Sequence, residues 1–266
     1  MYDTIIVGAG SAGCVLANRL SADPSRQVCL LEAGPEDTSP WIHIPVCIFF
    51  MMRSKTLNWA YQTEPQPHLY HRRLFWPRGK TLGGSSSSNA MVYTRGHRWD
   101  YDRWAELGNR GWSYAELLPL FKRAQNQERG PSEYHGVGGP LNVADPRQRG
   151  AISEVFVRAA GEVGYPLSDD FNGAEQEGVG FYQLTQKDGQ RCSSARAYLH
   201  PARSRPNLTV ITRALASRVL FEGQRAVGVA YRDRAGQTVA LKARREVILS
   251  GGAINSPQLL LLSAAG

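Results

Sequence analysis

The chain has 266 residues, of which 42% are hydrophobic and 20% charged, proportions typical of a folded soluble protein with a substantial core. Its formal net charge is +8, but no block of five like charges occurs, which argues against a nucleic-acid-binding tail. We interpret the charge as a solvated basic surface, with attraction to an anionic membrane surface or substrate as the alternative.

The four cysteines form no CxxC pair, and they are predicted to be buried thiols of a protein in a reducing compartment: Cys14, Cys29, Cys47 and Cys192. Because the first strand begins almost at Met1, no secretory signal fits, and the expected location is the cytoplasm, with a peripheral position at the inner membrane as the alternative. The apolar stretch 41–52 is too short to span a bilayer. It is expected to be a buried or lid segment, with shallow insertion into a membrane surface as the alternative.

The first informative stretch combines a strand, a glycine turn, a helix, a second strand and an acid. Residues 4–7 are apolar and β-branched, and GAGSAG follows them at 8–13. Residues 14–20 predict a helix with Val15, Leu16 and Ala17 facing inward, and 28–31 predict a buried strand that ends at Glu32. This order is typical of a dinucleotide-binding βαβ unit.

Each glycine of the motif has a mechanical role. Gly8 permits the tight turn, Gly10 lets the backbone approach a pyrophosphate, and Gly13 lets the helix pack closely on the strand. The helix start offers amides and a positive dipole end to phosphates, and the acid suits a ribose. The cofactor-binding residues predicted here are Gly8, Gly10, Ser11, Ala12, Gly13, Glu32 and Ala33. The motif alone fits both NAD and FAD.

The second informative stretch is WPRGKTLGGSSSSNAMVYTRG at 76–96. Small residues usually indicate a flexible linker, but here apolar residues flank them, which favours a loop that passes beside a flat ligand. A helix start near Asn89 could face an anionic ring edge or a phosphate. The residues predicted to line the cofactor are Thr81, Gly83, Gly84, Asn89, Ala90, Met91 and Val92.

The remaining patterns predict further elements without a clear chemical role. Helices are expected at 102–107, at 113–123 and at 151–164, the second with a capping box of Ser113 and Glu116. From residue 207 onward, four alternating stretches predict a β-meander, followed by a separate buried strand at 246–250. A last helix is expected to begin at Ser256-Pro257. No metal site is predicted at His68 and His71, and His97 is expected to be structural.

Three separated motifs resemble the glucose–methanol–choline (GMC) family of FAD-dependent oxidoreductases: GAGSAG at 8–13, GKTLGGSSSSNAMVY at 79–93 and GAINSPQLLLLSAAG at 252–266. Within that family the chain is most similar to the bacterial choline-dehydrogenase-like and aliphatic-alcohol-dehydrogenase branch. The stretches that carry this likeness are LNWAYQT at 57–63, FWPRGKTLGG at 75–84 and DGQRCSSARAYL at 188–199.

The resemblance implies an α/β fold with α+β character: a Rossmann-like FAD-binding domain, a β-meander and a partial substrate-binding domain. The implied boundaries are 1–155 and 206–266 for the FAD-binding domain and 156–205 for the substrate domain, with the C-terminal remainder of the family fold absent. It also implies that the backbone of Ala216 lies near the adenine and that Gly251 approaches the flavin. Arg191 and the pair Ser193-Ser194 could lie near the ring or simply cap a loop.

Two departures from the family pattern bear on the cofactor and on the last helix. Ser88 stands where some members carry a histidine joined covalently to the flavin, so FAD is expected to be held non-covalently. The stretch Ser263-Ala264-Ala265-Gly266 replaces the usual Ser-Gly-aliphatic-Gly of the second signature, which affects the closing turn of the last helix.

The implied activity is oxidation of an alcohol to an aldehyde by hydride transfer to flavin N5, with electrons passed to a quinone or another acceptor than oxygen. The expected partners are a small-molecule alcohol and that acceptor, without nucleic acid and with possible peripheral membrane association. No catalytic residue is assigned, because the family's catalytic histidine belongs to the C-terminal part. The alternatives are a non-catalytic FAD-binding fragment, an oxidase that uses oxygen, and an NAD-linked reductase.

Overall fold

The computed structural model describes residues 1–264. They form two compact units, one comprising Met1–Ala90 with the segment from Ser193 onward, and the other Met91–Cys192. The second unit therefore begins well before residue 156, where the sequence placed the start of a substrate domain. The assignment of the two units to a cofactor domain and a substrate domain stays a prediction.

The first unit holds the longer strands, and the second holds most of the long helices. The strands are β1 (Tyr2–Val7), β2 (Val28–Leu31), β3 (Tyr61–Gln62), β4 (Phe75–Trp76), β5 (Val92–Tyr93), β6 (Gln125–Gln127), β7 (Leu141–Val143), β8 (Gln183–Leu184), β9 (Gln186–Lys187), β10 (Gln190–Arg191), β11 (Leu208–Ile211), β12 (Leu215–Glu222), β13 (Arg225–Arg232) and β14 (Thr238–Leu249). The α-helices are α1 (Ser11–Leu20), α2 (Pro40–His43), α3 (Ile48–Arg53), α4 (Arg98–Glu106), α5 (Tyr114–Ala124), α6 (Ala151–Glu162), α7 (His200–Ala202) and α8 (Gly252–Ala264). Short 3₁₀ turns lie at Pro45–Cys47, Pro67–Leu69 and Gly84–Ser87, and a π-helix at Ala195–Leu199.

One six-stranded sheet organises the first unit, in the order β11-β2-β1-β14-β13-β12. The neighbours of β2 and β1 are parallel, whereas β13 pairs antiparallel with both β14 and β12. Strand β1, helix α1 and strand β2 form the predicted βαβ unit. Ile5, Val7, Cys29 and Leu31 pack in the core of this sheet.

The four-stranded meander predicted from residue 207 is wrong at both of its ends. Strand β11 joins the parallel half of the sheet beside β2, because its backbone pairs with residues 28–31. The two strands predicted at the other end form the single twelve-residue strand β14. Its first half pairs with β13 and its second half with β1, so one strand joins the antiparallel and parallel halves.

Helix α1 begins earlier than predicted, at Ser11 instead of residue 14, and it buries Cys14, Ala17 and Asn18. Of the three residues expected to face inward, only Ala17 is fully buried, while Val15 and Leu16 are half-buried. Helix α8 begins at Gly252, so Pro257 lies inside the helix and the predicted start at Ser256 is wrong. Residues 265–266, part of the departure noted in the second signature, lie outside the described residues.

The apolar stretch 41–52 is not the buried segment that its composition predicted. It forms α2, a 3₁₀ turn and α3, of which Ile42 and Met51 are buried against Leu57. Val46, Phe49 and Phe50 are more than half exposed. Within residues 1–264, the helices are all too short or too polar to cross a bilayer.

The second unit contains short strand pairs and a strongly polar interior. Helix α5 begins at the predicted capping box, in which Ser113 Oγ accepts the Glu116 N–H and Glu116 accepts the Ser113 N–H. Helix α6 confirms the predicted helix at 151–164 but has no buried residue in its length. The Arg95 guanidinium is buried, and it donates to Gln125 Oε1 and to the carbonyl of Tyr134, each at 2.9 Å.

Candidate cofactor site

The turn between β1 and α1, which we call the glycine turn (residues 8–13), is packed so closely that side chains would not fit. Gly8 has φ +97°, and a Cβ there would lie 2.6 Å from the carbonyl oxygen of Ser250. A Cβ on Gly13 would lie 1.9 Å from the carbonyl oxygen of Gly8. These contacts explain why the sequence needs glycine at both positions: the turn and the helix start pack closely on backbone atoms, and the Ser250 hydroxyl donates to the carbonyl oxygens of Val7 and Gly8 at 3.1 Å.

The N-terminus of α1 remains available to a ligand. Gly10 is the N-cap, no side chain caps the first turn, and Ser11 and Ala12 are exposed. The first amides of a helix have no partner within the helix, and the dipole makes this end positive. The arrangement suits a bound diphosphate.

Glu32 lies at the end of β2 and braces the glycine turn. Its Oε2 accepts the Ala9 N–H at 2.9 Å, and its Oε1 accepts the Gly34 N–H at 2.8 Å. Burial raises the pKa of the Glu32 carboxyl to about 7. Because each carboxylate oxygen has a second lone pair, Glu32 can also accept a hydroxyl of a ribose.

Residues 83–89, which we call the flavin loop, lie directly against the glycine turn. The Gly83 N–H donates to the carbonyl oxygen of Ala9 at 2.7 Å. Gly84 has φ +53°, and a Cβ there would lie 2.8 Å from the Cα of Gly10. Two stretches that are about seventy residues apart in the sequence therefore meet backbone to backbone, as their glycines predicted.

The other predicted residues of this stretch have distinct surroundings. Thr81 is buried and its hydroxyl donates to the carbonyl oxygen of Pro35 at 3.0 Å, which fixes the start of the flavin loop. The helix start expected near Asn89 is wrong, because the helical turn spans Gly84–Ser87 instead. The Asn89 N–H donates to the carbonyl oxygen of Ser85 at 2.8 Å and closes that turn.

Gly251 and Ala216 lie on elements next to the βαβ unit. The Cα of Gly251 would be 2.9 Å from a Cβ on Gly8, so Gly251 lines the glycine turn. Ala216 pairs with Tyr231 in the sheet, two residues beyond Ala214, whose N–H donates to the Glu32 carbonyl oxygen. The predicted contact of Ala216 with the adenine stays a prediction.

Of the four remaining predicted residues, Met91 and Val92 belong to the second unit, and Ala33 and Ala90 belong to the first. Ala33 is half-buried and Ala90 is exposed. Met91 has φ +62°, and its carbonyl oxygen accepts the Thr185 N–H at 2.8 Å. Val92 pairs with Leu184 in the short sheet of β5 and β8. Roles in cofactor binding for these four residues stay predictions.

The family model described as GMC oxidoreductase matches residues 2–266 of the chain. The chain belongs to the GMC oxidoreductase family. It is 58% identical over 268 residues to an alcohol dehydrogenase [acceptor] of Pseudomonas putida and 52% identical over 272 residues to the mitochondrial choline dehydrogenase of Mus musculus. These alignments cover 100% of the chain but 49% and 46% of the two relatives, so the chain spans about half the length of the curated relatives it matches.

The crystal structure of a pyridoxine 4-oxidase from Mesorbium loti has the same fold, with a TM-score of 0.94 and 36% identity. The match covers 99% of this chain and 52% of that one. The resemblance to the GMC family and the Rossmann-like α/β fold expected from the sequence are both confirmed. The cofactor of this family is FAD.

The geometry of this GMC chain fits FAD in two respects. The glycine turn and the flavin loop form a cradle in which a Cβ on Gly8 or Gly84 would meet backbone atoms. An uncapped helix start and a buried carboxylate flank that cradle on the same edge of the sheet, as a diphosphate and a ribose require.

Three histidines of the GMC chain have structural partners. His97 caps α4, where its Nδ1 accepts the Trp99 N–H at 3.2 Å, in agreement with its expected structural role. His135 pairs with Asp170 at 2.7 Å, and His200 with Asp37 at 3.0 Å. Across residues 1–264, histidine, cysteine and carboxylate side chains form no group of three or more that could hold a metal ion.

The sequence missed one residue that contacts the flavin loop directly. Ser194 lies against Ser86, with the two hydroxyl oxygens 2.6 Å apart. The pair Ser193-Ser194 was noted only as a loop cap or a ring neighbour. Nothing in the local pattern connects it to Ser86, because the two serines lie 108 residues apart in the chain.

Proposed function

We propose that the chain is the FAD-binding part of an enzyme that oxidises a primary alcohol or a choline-like substrate to the aldehyde. The observation that carries this proposal is the close approach of Gly84 to Gly10. There the backbone of the flavin loop lies directly against the backbone of the glycine turn. Such an approach brings the two segments together, so that one extended cofactor can contact both. The names of the relatives, an alcohol dehydrogenase and a choline dehydrogenase, support the substrate class.

Each part of FAD has candidate residues in this chain. The amides at the start of α1, from Ser11 to Gly13, would hold the diphosphate, and Glu32 would accept a ribose hydroxyl. The flavin loop would line the ring. FAD, when bound, supplies the hydride-accepting chemistry, while the protein binds and orients the reactants.

We also propose that FAD is held without a covalent bond. Ser88 occupies the position at which a covalent histidine would stand, and its backbone N–H donates to the Ser85 carbonyl oxygen at 3.1 Å. A serine hydroxyl is a weak nucleophile unless an adjacent base activates it. The described partners of Ser88 are the backbone of Ser85, which cannot act as a base.

The proposed electron acceptor is a quinone or a similar molecule, which agrees with the word "acceptor" in the name of the Pseudomonas relative. A lipid-soluble acceptor fits a protein that touches a membrane surface. The exposed side chains of Val46, Phe49 and Phe50, followed by Arg53 and Lys55, suit the boundary between acyl chains and anionic headgroups. Replacing Phe49 and Phe50 by serine should reduce co-sedimentation with anionic vesicles, and unchanged co-sedimentation would refute this contact.

The visible spectrum of the purified chain tests the cofactor. We expect the purified chain to show flavin absorption. After denaturation, the flavin should be found in the supernatant and not on the polypeptide. Colour that stays on the denatured polypeptide would contradict non-covalent binding. A chain that binds NADH and not FAD would contradict the cofactor assignment.

Turnover is tested separately, with choline and a primary alkanol as substrates and an artificial electron acceptor or oxygen. Longer proteins that contain this chain are expected to reduce the artificial acceptor with one of the two substrates. Steady turnover by the 266-residue chain alone would exclude a fragment that only binds FAD. Activity that requires oxygen would replace the proposed dehydrogenase by an oxidase.

A further inference from the structure

A π-helix lies beside the cofactor cradle, and the proposed function assigns it no role. It spans Ala195–Leu199 and begins directly after Ser194, within a helical stretch that continues through α7. Ala195 and Leu199 are fully buried, as is most of this segment. Short π segments within helices often occur at functional sites, because the wider turn shifts which groups face a neighbour.

Ser194 is connected to the flavin loop by two of its own groups. Its backbone N–H donates to Ser86 Oγ at 2.9 Å, and the two hydroxyl oxygens are 2.6 Å apart. The Ser86 hydroxyl in turn donates to the carbonyl oxygen of Gly83 at 2.6 Å. Either hydroxyl can donate between the two serines, and the Ser194 hydroxyl also lies 3.5 Å from the Gly83 carbonyl oxygen.

The chain of hydrogen bonds continues into the glycine turn. The Gly83 N–H donates to the Ala9 carbonyl oxygen, which also accepts the Cys14 thiol at 3.2 Å. Burial raises the pKa of that thiol to about 12, so the donor proton remains in place at neutral pH. The π-helix, the flavin loop and the glycine turn are therefore joined in one network.

The π-helix is itself fastened to the first helix of the βαβ unit. The Asn18 side chain, buried on α1, donates through Nδ2 to the carbonyl oxygen of Tyr198 at 2.7 Å. Ser194 thus sits at the start of a segment that is anchored to α1 at its other end. A hydroxyl in that place can fix the flavin loop relative to the helix start.

The flavin loop needs such support because its own conformation is unusual. Gly83 and Gly84 both have positive φ, +87° and +53°, and only one 3₁₀ turn follows them. A single 3₁₀ turn is weakly held by its own hydrogen bonds. Contacts from outside the loop, such as that of Ser194, therefore add to the hydrogen bonds within it.

We propose that Ser194 is a positioning residue for FAD: through Ser86 it holds the flavin loop in the shape that receives the ring. This inference rests on the proposed function, because the ligand is the same FAD. It adds that the segment following Cys192, which is distant from the flavin loop in sequence, helps to determine FAD affinity and the environment of the flavin ring.

The test compares Ser194→Ala with Ser193→Ala in the full chain. Ser193 is an equally buried neighbour whose Oγ accepts the Arg196 N–H at 3.2 Å, so its loss weakens the same helix without touching Ser86. We expect Ser194→Ala to weaken FAD binding about tenfold, the effect of losing one buried hydrogen bond. Its bound flavin should also show a shifted visible spectrum, whereas Ser193→Ala should bind FAD like the parent and leave the spectrum unchanged.

An equal loss of FAD affinity in both variants would show that Ser194 only stabilises the helix, and it would overturn the proposal. Unchanged affinity and spectrum in Ser194→Ala would also overturn it. If that variant does not fold, Ser86→Ala removes the same contact from the other side, together with the bonds of Ser86 to Gly83 and to the Ser194 N–H, and should give at least the same affinity loss and a spectral shift. In the double variant the two losses should be less than additive.

The parent chain separates this inference from the proposed function. A parent that binds no FAD refutes the proposed function. A parent that binds FAD beside a Ser194→Ala variant that binds it equally well refutes only the role of Ser194.

Discussion

The two ends of the parallel strands β11, β2, β1 and β14 are held together by different kinds of contact. At their carboxyl ends, backbone meets backbone: Gly8 lies against Ser250, and Gly84 lies against Gly10. At their amino ends, charged side chains close the sheet. Arg26 pairs with Glu246, and Arg244 with Asp3 at 3.1 Å.

The amino end satisfies its own polar groups. Asp3 accepts the Gln27 N–H at 2.8 Å, which together with the arginines holds the pKa of that carboxyl below its usual value. The Asn207 side chain donates to three carbonyl oxygens, those of Ser21, Asp23 and Arg26. This end is closed by side chains, and it contributes to stability.

The carboxyl end, by contrast, keeps backbone amides of α1 without side-chain caps and buries a single carboxylate, Glu32, among them. A ligand that brings a diphosphate and hydroxyl groups can use both. The difference supports the proposal that the carboxyl end, where glycines let backbone segments pack closely, binds the cofactor. Substitutions at the two ends should therefore separate FAD affinity from stability.

The largest effect is expected from Gly84→Ala at the carboxyl end. A Cβ 2.8 Å from the Cα of Gly10 meets backbone that cannot rotate away, so the flavin loop must move off the glycine turn. We expect FAD binding to weaken about 100-fold, equivalent to about 2.7 kcal/mol. A titration of the chain with FAD, followed by flavin fluorescence, measures the change.

Gly223→Ala is the matched control for that substitution. Gly223 has a similar φ of +59° but has nothing within 4 Å of its Cβ position. It therefore adds the backbone strain of alanine without the collision. If Gly223→Ala weakened FAD binding as much as Gly84→Ala, the close approach would not explain the loss.

An intermediate effect, visible only as a pH dependence, is expected from Glu32→Gln. The carboxyl has an ordinary pKa of 4.5 and a pKa of about 7 in the folded chain, because burial disfavours its charge. Between these values the folded chain holds a proton that the unfolded chain has lost, so the free energy of unfolding falls as pH rises and levels off above 7. Between about pH 5 and about pH 7 the change corresponds to roughly 2 kcal/mol.

Glu32→Gln lacks that titration, so its stability relative to the parent should increase as pH rises from about 5 to about 7. Urea unfolding at several pH values measures the difference. Glu36→Gln is the control, because Glu36 is a half-buried partner of Arg203 at 2.6 Å in the same loop. A pH-dependent gain in Glu36→Gln as large as in Glu32→Gln would show that burial of Glu32 is not the cause.

The sequence predicted the parts of the carboxyl end in which neighbours in space are neighbours in the chain. Strand β1, the glycine turn, α1 and β2 follow one another within about thirty residues, and each turn residue has a conformational reason to be glycine. The capping box of α5 was predicted for the same reason, since Ser113 and Glu116 are three residues apart. The small residues of 76–96 predicted a loop beside a flat ligand, and the GMC resemblance implied that this ligand is FAD.

The parts that the sequence did not predict depend on pairing between distant residues. Arg244 and Arg245 interrupt the apolar alternation of β14, because both pair with Asp3 near the start of β1. In the sequence this interruption resembled a break between two strands. The pairing of Ser86 with Ser194 leaves no local pattern. The exposure of Phe49 and Phe50 depends on how the rest of the chain packs around them, and the composition of the segment does not predict this.

The smallest effect is expected at the amino end, from Glu246→Gln. The side chains of Arg26 and Glu246 are 21% and 43% exposed, so water screens the pair. Its loss should lower the free energy of unfolding by less than about 1 kcal/mol. The Thr4 hydroxyl, which donates to Glu246 Oε1 at 3.2 Å, keeps an acceptor in the glutamine variant.

FAD affinity should not change in Glu246→Gln, because Glu246 lies beside Thr4 in β1, whereas Ser250 and Gly251 lie against the glycine turn. Urea unfolding and an FAD titration of the same preparation measure both quantities. A loss of FAD affinity without a loss of stability would reverse the comparison, since it would make the amino end part of the cofactor site. A small loss of stability alone would show that the side-chain network closes the sheet while the backbone at the carboxyl end serves the ligand.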